Sequence, residues 1–179
     1  MATDINPRVR RLAYSAAIAA VLLSCALVAA KAWAWMESGS AAMLSSLIDS
    51  SVDAMVSFTG FLALRYAFQP ADDDHRYGHG KAEGIAALGQ AAFIGVSCIF
   101  LVIEALSRFD NPVPVSAVDT NITVLLCGTV ATLMLTTYQR YVIRQTNSLA
   151  VEADGKHYSS DIVMNLGIIA GLYLSERQN

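Results

Sequence analysis

The chain has 179 residues, 55% of them hydrophobic and 15% charged, with a formal net charge of -3. This composition excludes an ordinary water-soluble domain, and the lack of a basic patch or aromatic-interleaved stripe excludes a nucleic-acid partner; the apolar runs identify an integral membrane protein whose first partner is the lipid bilayer. Three cysteines in three different apolar runs, Cys25, Cys98 and Cys127, give neither a disulfide framework nor a Cys-x-x-Cys metal motif and are expected to pack as small hydrophobes.

Five segments are long enough to cross a hydrocarbon core of about 30 Å at roughly 1.5 Å per residue. In chain order they are 12–36, 41–67, 81–106, 122–141 and 149–174. The expected fold is all-α, a polytopic transmembrane helix bundle of five spans. The first run follows Arg8, Arg10 and Arg11 but is too long for a signal peptide. Its Lys31 is expected to snorkel, and Trp33 and Trp35 to mark an interface. The second span carries Asp49 and Asp53. In the third, Gly84, Gly89 and Gly95 are expected to allow close packing, and Glu104 to snorkel. The segment 107–121, with Asp110, Pro112, Pro114 and Asp119, reads as a polar turn. Tyr138 and Tyr141 near the end of the fourth span fit an aromatic belt. The fifth span holds Glu152, Asp154, Lys156, His157 and Asp161, and should turn this polar face toward the bundle interior. Asn165, four residues beyond Asp161, suits an interhelical hydrogen bond or a group orienting that carboxylate.

Basic residues set the orientation. With a cytoplasmic N-terminus, Arg8, Arg10, Arg11, Arg65, Arg76, Lys81, Arg140 and Arg144 fall inside, and only Arg108 and Arg177 outside. The second helix then runs inward and the fifth outward, which sets Asp53 level with His157 and Asp49 level with Asp161. Each pair is spaced by four residues and so shares one helix face. An ionised side chain at the bilayer centre costs roughly 2.5–3.5 kcal/mol, so three aspartates need compensation by a cation or by protons. Three carboxylates and one imidazole suit a tetrahedral divalent ion such as zinc, while iron(II), cadmium, cobalt and manganese share the same donor chemistry. The competing reading is polar glue between helices. A second constellation, Asp72, His75 and His79, lies in the loop with Asp73 and Asp74, where Gly78 and Gly80 oppose a regular helix. It reads equally as a metal-binding loop or a solvated acidic turn.

The Asp-x-x-x-Asp of Asp49 and Asp53, the His-x-x-x-Asp of His157 and Asp161, and the stretch PADDDHRYGHGKAEG together resemble the cation diffusion facilitator family, most closely its bacterial zinc and ferrous-iron efflux members. The resemblance runs from about Arg8 to the end of the chain. It implies a homodimeric metal/proton antiporter of the inner (plasma) membrane, not an enzyme, with protons as counter-ion. It further implies Asp49, Asp53, His157 and Asp161 as transport-site ligands, Asp72, His75 and His79 as a second metal site, and Lys81 in a charge interlock at the dimer. Members have a sixth span and a cytoplasmic C-terminal domain, so residues 1–179 are expected to be a partial transmembrane domain. The alternative function is a nontransporting membrane metal-binding or assembly protein. An intramembrane hydrolase lacks the helical His-Glu-x-x-His of a metalloprotease.

Overall fold

A computed structural model describes residues 6–39, 41–110 and 119–176. These form five helices: α1 (Pro7–Ser38), α2 (Ala41–Ala67), α3 (Lys81–Asp110), α4 (Asp119–Thr146) and α5 (Leu149–Glu176). Three stretches among the described residues, Pro7–Ser38, Met43–Ala67 and Lys81–Ile99, are long and apolar enough to cross a membrane.

Local chemistry fixes the helix ends. Asn6 Oδ1 accepts the Arg8 amide at 3.0 Å, and Pro7 opens α1 where its missing N–H costs nothing. The helix thus starts five residues before the apolar run. Gly39, with φ of 58°, closes it by donating to the Trp35 carbonyl. Between α4 and α5, Asn147 takes a positive φ of 50°, a conformation its short polar side chain tolerates, and donates to the Ile143 carbonyl. Ser148 then caps α5, its Oγ accepting the Val151 amide. α3 and α4 extend beyond the apolar runs, so residues 107–110 and 119–121 are helical and not part of a polar turn. Pro112, Pro114 and Arg177, and the side chains of Glu104, Arg108, Asp110, Asp119 and Asn165, lie outside the described residues.

Helix contacts close a ring in the order α1, α2, α3, α5, α4 and back to α1, and α2 also meets α5 across the middle. Small residues make this approach possible. Ala13, Ala16, Ala17, Ala20 and Ser24 are all buried on α1, at three- and four-residue spacing, and the first three pack with Leu64, Val142 and Val151. The outer faces stay apolar: Leu22, Met55, Ile85 and Leu88 are each at least 65% exposed, as lipid-facing side chains are.

Several expectations change. The three cysteines are free and lie on exposed helix faces, not in the core. Nothing approaches a side-chain position at Gly89 or Gly95; the close contact is at Gly60, where a Cβ would meet Gln90 Nε2 at 2.6 Å. Tyr138 is half-buried, its hydroxyl 2.8 Å from Ser15 Oγ of α1, whereas Tyr141 is exposed.

Candidate metal centre

The α2–α5 contact carries the polar residues of both helices. Ser57 meets Asp154, and one turn along the bundle Asp53 meets His157, so numbering falls along α2 as it rises along α5. The two helices are therefore antiparallel. His157 Nε2 lies 2.9 Å from Asp53 Oδ1 and 3.9 Å from Asp161 Oδ2. Asp53, His157 and Asp161 each offer one donor atom, all within 4.8 Å of one another, a spacing that one ion can bridge. His157 is buried and the two aspartates half-buried. The ring of Phe93 on α3 lies edge-on to the imidazole at 6.4 Å between centroids. Asp49 is one turn along α2 from Asp53 and is not in this three-donor cluster. Asp49 shares that helix face but is exposed, whereas Asp53 is half-buried.

Lys156, beside the histidine, points away and pairs with Glu152 at 2.8 Å on the exposed side of α5. It does not offset the buried acids. Lys31 of α1 turns toward the α2 segment that bears them, its ammonium donating to Ser50 Oγ at 2.6 Å and to the Ser46 carbonyl at 3.3 Å. It is therefore not extended toward an interface.

Next to the cluster is a more deeply buried acid that motif spacing did not single out. Asp154 is 5% exposed, and its carboxylate accepts from Ser57 Oγ at 2.8 Å and Gln139 Nε2 at 2.6 Å. Tyr158 Oη lies 2.9 Å from Ser57 Oγ, tying the group to α1 through the Ala20 carbonyl at 3.4 Å. The signal was present as a phase: Ser57 continues the four-residue step of Asp49 and Asp53, and Asp154 precedes His157 by three. Glu83, at the start of α3, has its Oε1 accepting from Ser148 Oγ and from the Ala150 amide at 3.1 Å. An α3 carboxylate thus caps the N-terminus of α5.

The loop constellation also converges. Asp72 Oδ1 accepts the His75 amide at 2.6 Å and lies 3.1 Å from His75 Nδ1, while Asp72 Oδ2 is 3.3 Å from His79 Nε2. The three residues offer donor atoms within 4.8 Å of one another. Gly78, with φ of 78°, makes the turn that brings His79 back, and its amide donates to the His75 carbonyl. His79 is buried against Tyr66, with its Nδ1 lacking a hydrogen-bond partner, whereas Asp72 and His75 are exposed. The His75 backbone amide, aided by the two imidazoles, holds the Asp72 carboxyl below its ordinary value, so the group stays an anion ready to ligate. Asp73 and Asp74 are exposed and outside the cluster.

Residues 17–176 match the cation efflux transmembrane domain. The chain is 44% identical over 171 residues to the cation-efflux pump FieF of Klebsiella pneumoniae, covering 96% of this chain and 57% of that protein. Its identity to the cation-efflux pump FieF of Cronobacter sakazakii is 46% over 165 residues, 92% of this chain and 55% of the relative. The chain therefore spans somewhat over half the length of these relatives.

Proposed function

Since this chain belongs to the cation efflux family, a family of membrane transporters and not of enzymes, we propose that it binds a divalent metal ion between α2 and α5 and exports it in exchange for protons. The observation that carries this reading is the convergence of Asp53, His157 and Asp161 from two helices to within 4.8 Å. We assign Asp49 as the fourth ligand, because a tetrahedral ion takes four donors and Asp49 is the next carboxylate on the same α2 face. Zinc fits three carboxylates and an imidazole best, with iron(II) and cadmium as secondary substrates. In this reading residues 1–179 are part of a transmembrane domain, contributing five spans with a cytoplasmic N-terminus in the bacterial inner membrane. The excess of Arg and Lys on one side supports that orientation. A homodimer follows from the family resemblance.

The chemistry follows from charge. Without metal, Asp53 pairs with His157. A divalent ion arriving from the cytoplasm takes both side chains as ligands, which must give up any proton they hold. Rocking of the helices then exposes the loaded site outward, where protons displace the metal. The cluster Asp72, His75 and His79 serves as a second metal site near the inner mouth, and Asp73 and Asp74 raise the local cation concentration there.

The test is metal-driven proton movement in liposomes holding the purified chain. Unsubstituted protein should couple an imposed zinc gradient to a pH change, and Asp53→Ala or Asp161→Ala should abolish it. Flux retained in both variants would remove these residues from the site. Zinc binding with no flux in the unsubstituted chain would instead identify a nontransporting membrane metal-binding protein.

A further inference from the structure

α1 carries one basic side chain inside its long apolar run, and the fold turns it inward. Lys31 precedes the end of α1 at Ser38 by seven residues, about 10 Å along the axis, and Asp49 follows the start of α2 at Ala41 by eight residues, about 12 Å. The two side chains thus share a level. The Lys31 ammonium is tethered to Ser50 Oγ at 2.6 Å and to the Ser46 carbonyl at 3.3 Å. Ser50 adjoins Asp49 in sequence and precedes Asp53 by one turn, so the charge is pinned to the stretch of α2 that bears both acids. The carboxylates whose charges act on it are Asp53 and Asp161 of the α2–α5 cluster and Asp49 one turn away on α2. A lysine that merely avoided lipid would extend along the helix toward water. This one instead gives its hydrogen bonds to an interior serine and a backbone carbonyl.

We infer that Lys31 is a built-in counter-cation of the α2–α5 metal centre, which holds down the affinity for a divalent ion so that the ion can leave. The inference rests on the divalent-metal reading above. With His157 neutral, three carboxylates, one ammonium and a divalent ion sum to no net charge, the state a low-dielectric interior tolerates best. Without the ammonium the ion would sit in a site of net negative charge and be held harder. An export site must bind well enough to load and weakly enough to empty, and a tethered lysine sets that balance without occupying a ligand position.

Zinc affinity of the 179-residue chain in detergent, measured against a competing chelator, tests this. The loop site is first removed by His75→Ala and His79→Ala, and the solution is held near pH 8, about 1.5 units above the ordinary histidine value, to limit proton competition. Lys31→Met should bind zinc at least about tenfold more tightly, because a nearby positive charge has gone, and Lys31→Arg should stay within about threefold of the unsubstituted chain. Ser50→Ala, which frees the ammonium without changing net charge, should tighten binding by less. If Lys31→Met does not fold, judged by its elution and circular dichroism, Ser50→Ala decides alone. Unchanged or weaker binding in Lys31→Met, or in Ser50→Ala where Lys31→Met does not fold, overturns the inference, as does Lys31→Arg behaving like Lys31→Met. Asp53→Ala in the same background separates the two levels. Loss of the remaining zinc binding upholds the metal centre whatever Lys31 does, and retained binding removes the centre and the role of Lys31 with it.

Discussion

Asp53 and His157 hold each other at 2.9 Å, and an ion bound between α2 and α5 must take both. Replacing the imidazole by a carboxylate, His157→Asp, keeps four donors but makes them all oxygen. Zinc preference over manganese should therefore fall while binding persists, as read by competition between the two ions. Unchanged selectivity would argue against His157 as a ligand. In the loop, the depressed Asp72 carboxyl links pH to local order. A carboxyl whose folded value is lowered stabilises the turn above its unfolded value and loses that contribution as pH falls through the folded one. Protection of the His75 amide from exchange should accordingly persist below the ordinary Asp value of about 3.9. Its loss at or above that pH would contradict the geometry. At this scale the sequence disclosed ligand types and spacing, but not which way a long side chain swings. Lys31 was expected to snorkel because it stands in an apolar helix, and only the packing of α1 on α2 reveals Ser50 as its partner.

Helices α2, α4 and α5 are joined through Asp154, and the pattern of that junction makes a specific forecast. Asp154→Ala strands Gln139 Nε2 in the interior and leaves Ser57 Oγ only its Tyr158 partner, and should cost about 1–3 kcal/mol, read as a lower thermal midpoint in detergent. Asp154→Asn should be nearly neutral. Gln139 Oε1 lacks a hydrogen-bond partner, so turning the Gln139 amide lets it accept from the new Asn amide while the Asn oxygen still accepts from Ser57. Equal destabilisation by both substitutions would show that charge, not hydrogen bonding, holds the junction. Glu83→Ala should cost about 1 kcal/mol by uncapping α5. The apolar runs located all five helices to within a few residues except where capping by Asn6, or helix continuing past the apolar run, lengthened them. The meeting of α2 with α5 was legible because both carry acids at four-residue spacing. The junction at Asp154 was legible only in part: Ser57 and Asp154 fall in phase with the acids and the histidine, but Gln139 matches no motif and acquires its role only when three helices close around it.

Among the described residues two clusters of donors stand apart: one between α2 and α5, and one in the loop between α2 and α3. If they have separate tasks, removing His75 and His79 should reduce the number of zinc ions bound per chain while leaving most of the metal-driven proton movement. Equal loss of transport would merge them into one function. The ring of helices, with its small-residue seam on α1 and its apolar exterior, leaves the α2–α5 contact as the place where buried charge concentrates. The most direct check of the central claim is anomalous diffraction at the zinc edge from crystals of this chain grown with zinc. The expected result is a peak between α2 and α5 with Asp49, Asp53 and Asp161 oxygens and a His157 ring nitrogen at about 2.0–2.2 Å. A fully loaded protein whose zinc peaks all lie elsewhere, with these four side chains unligated, would contradict it.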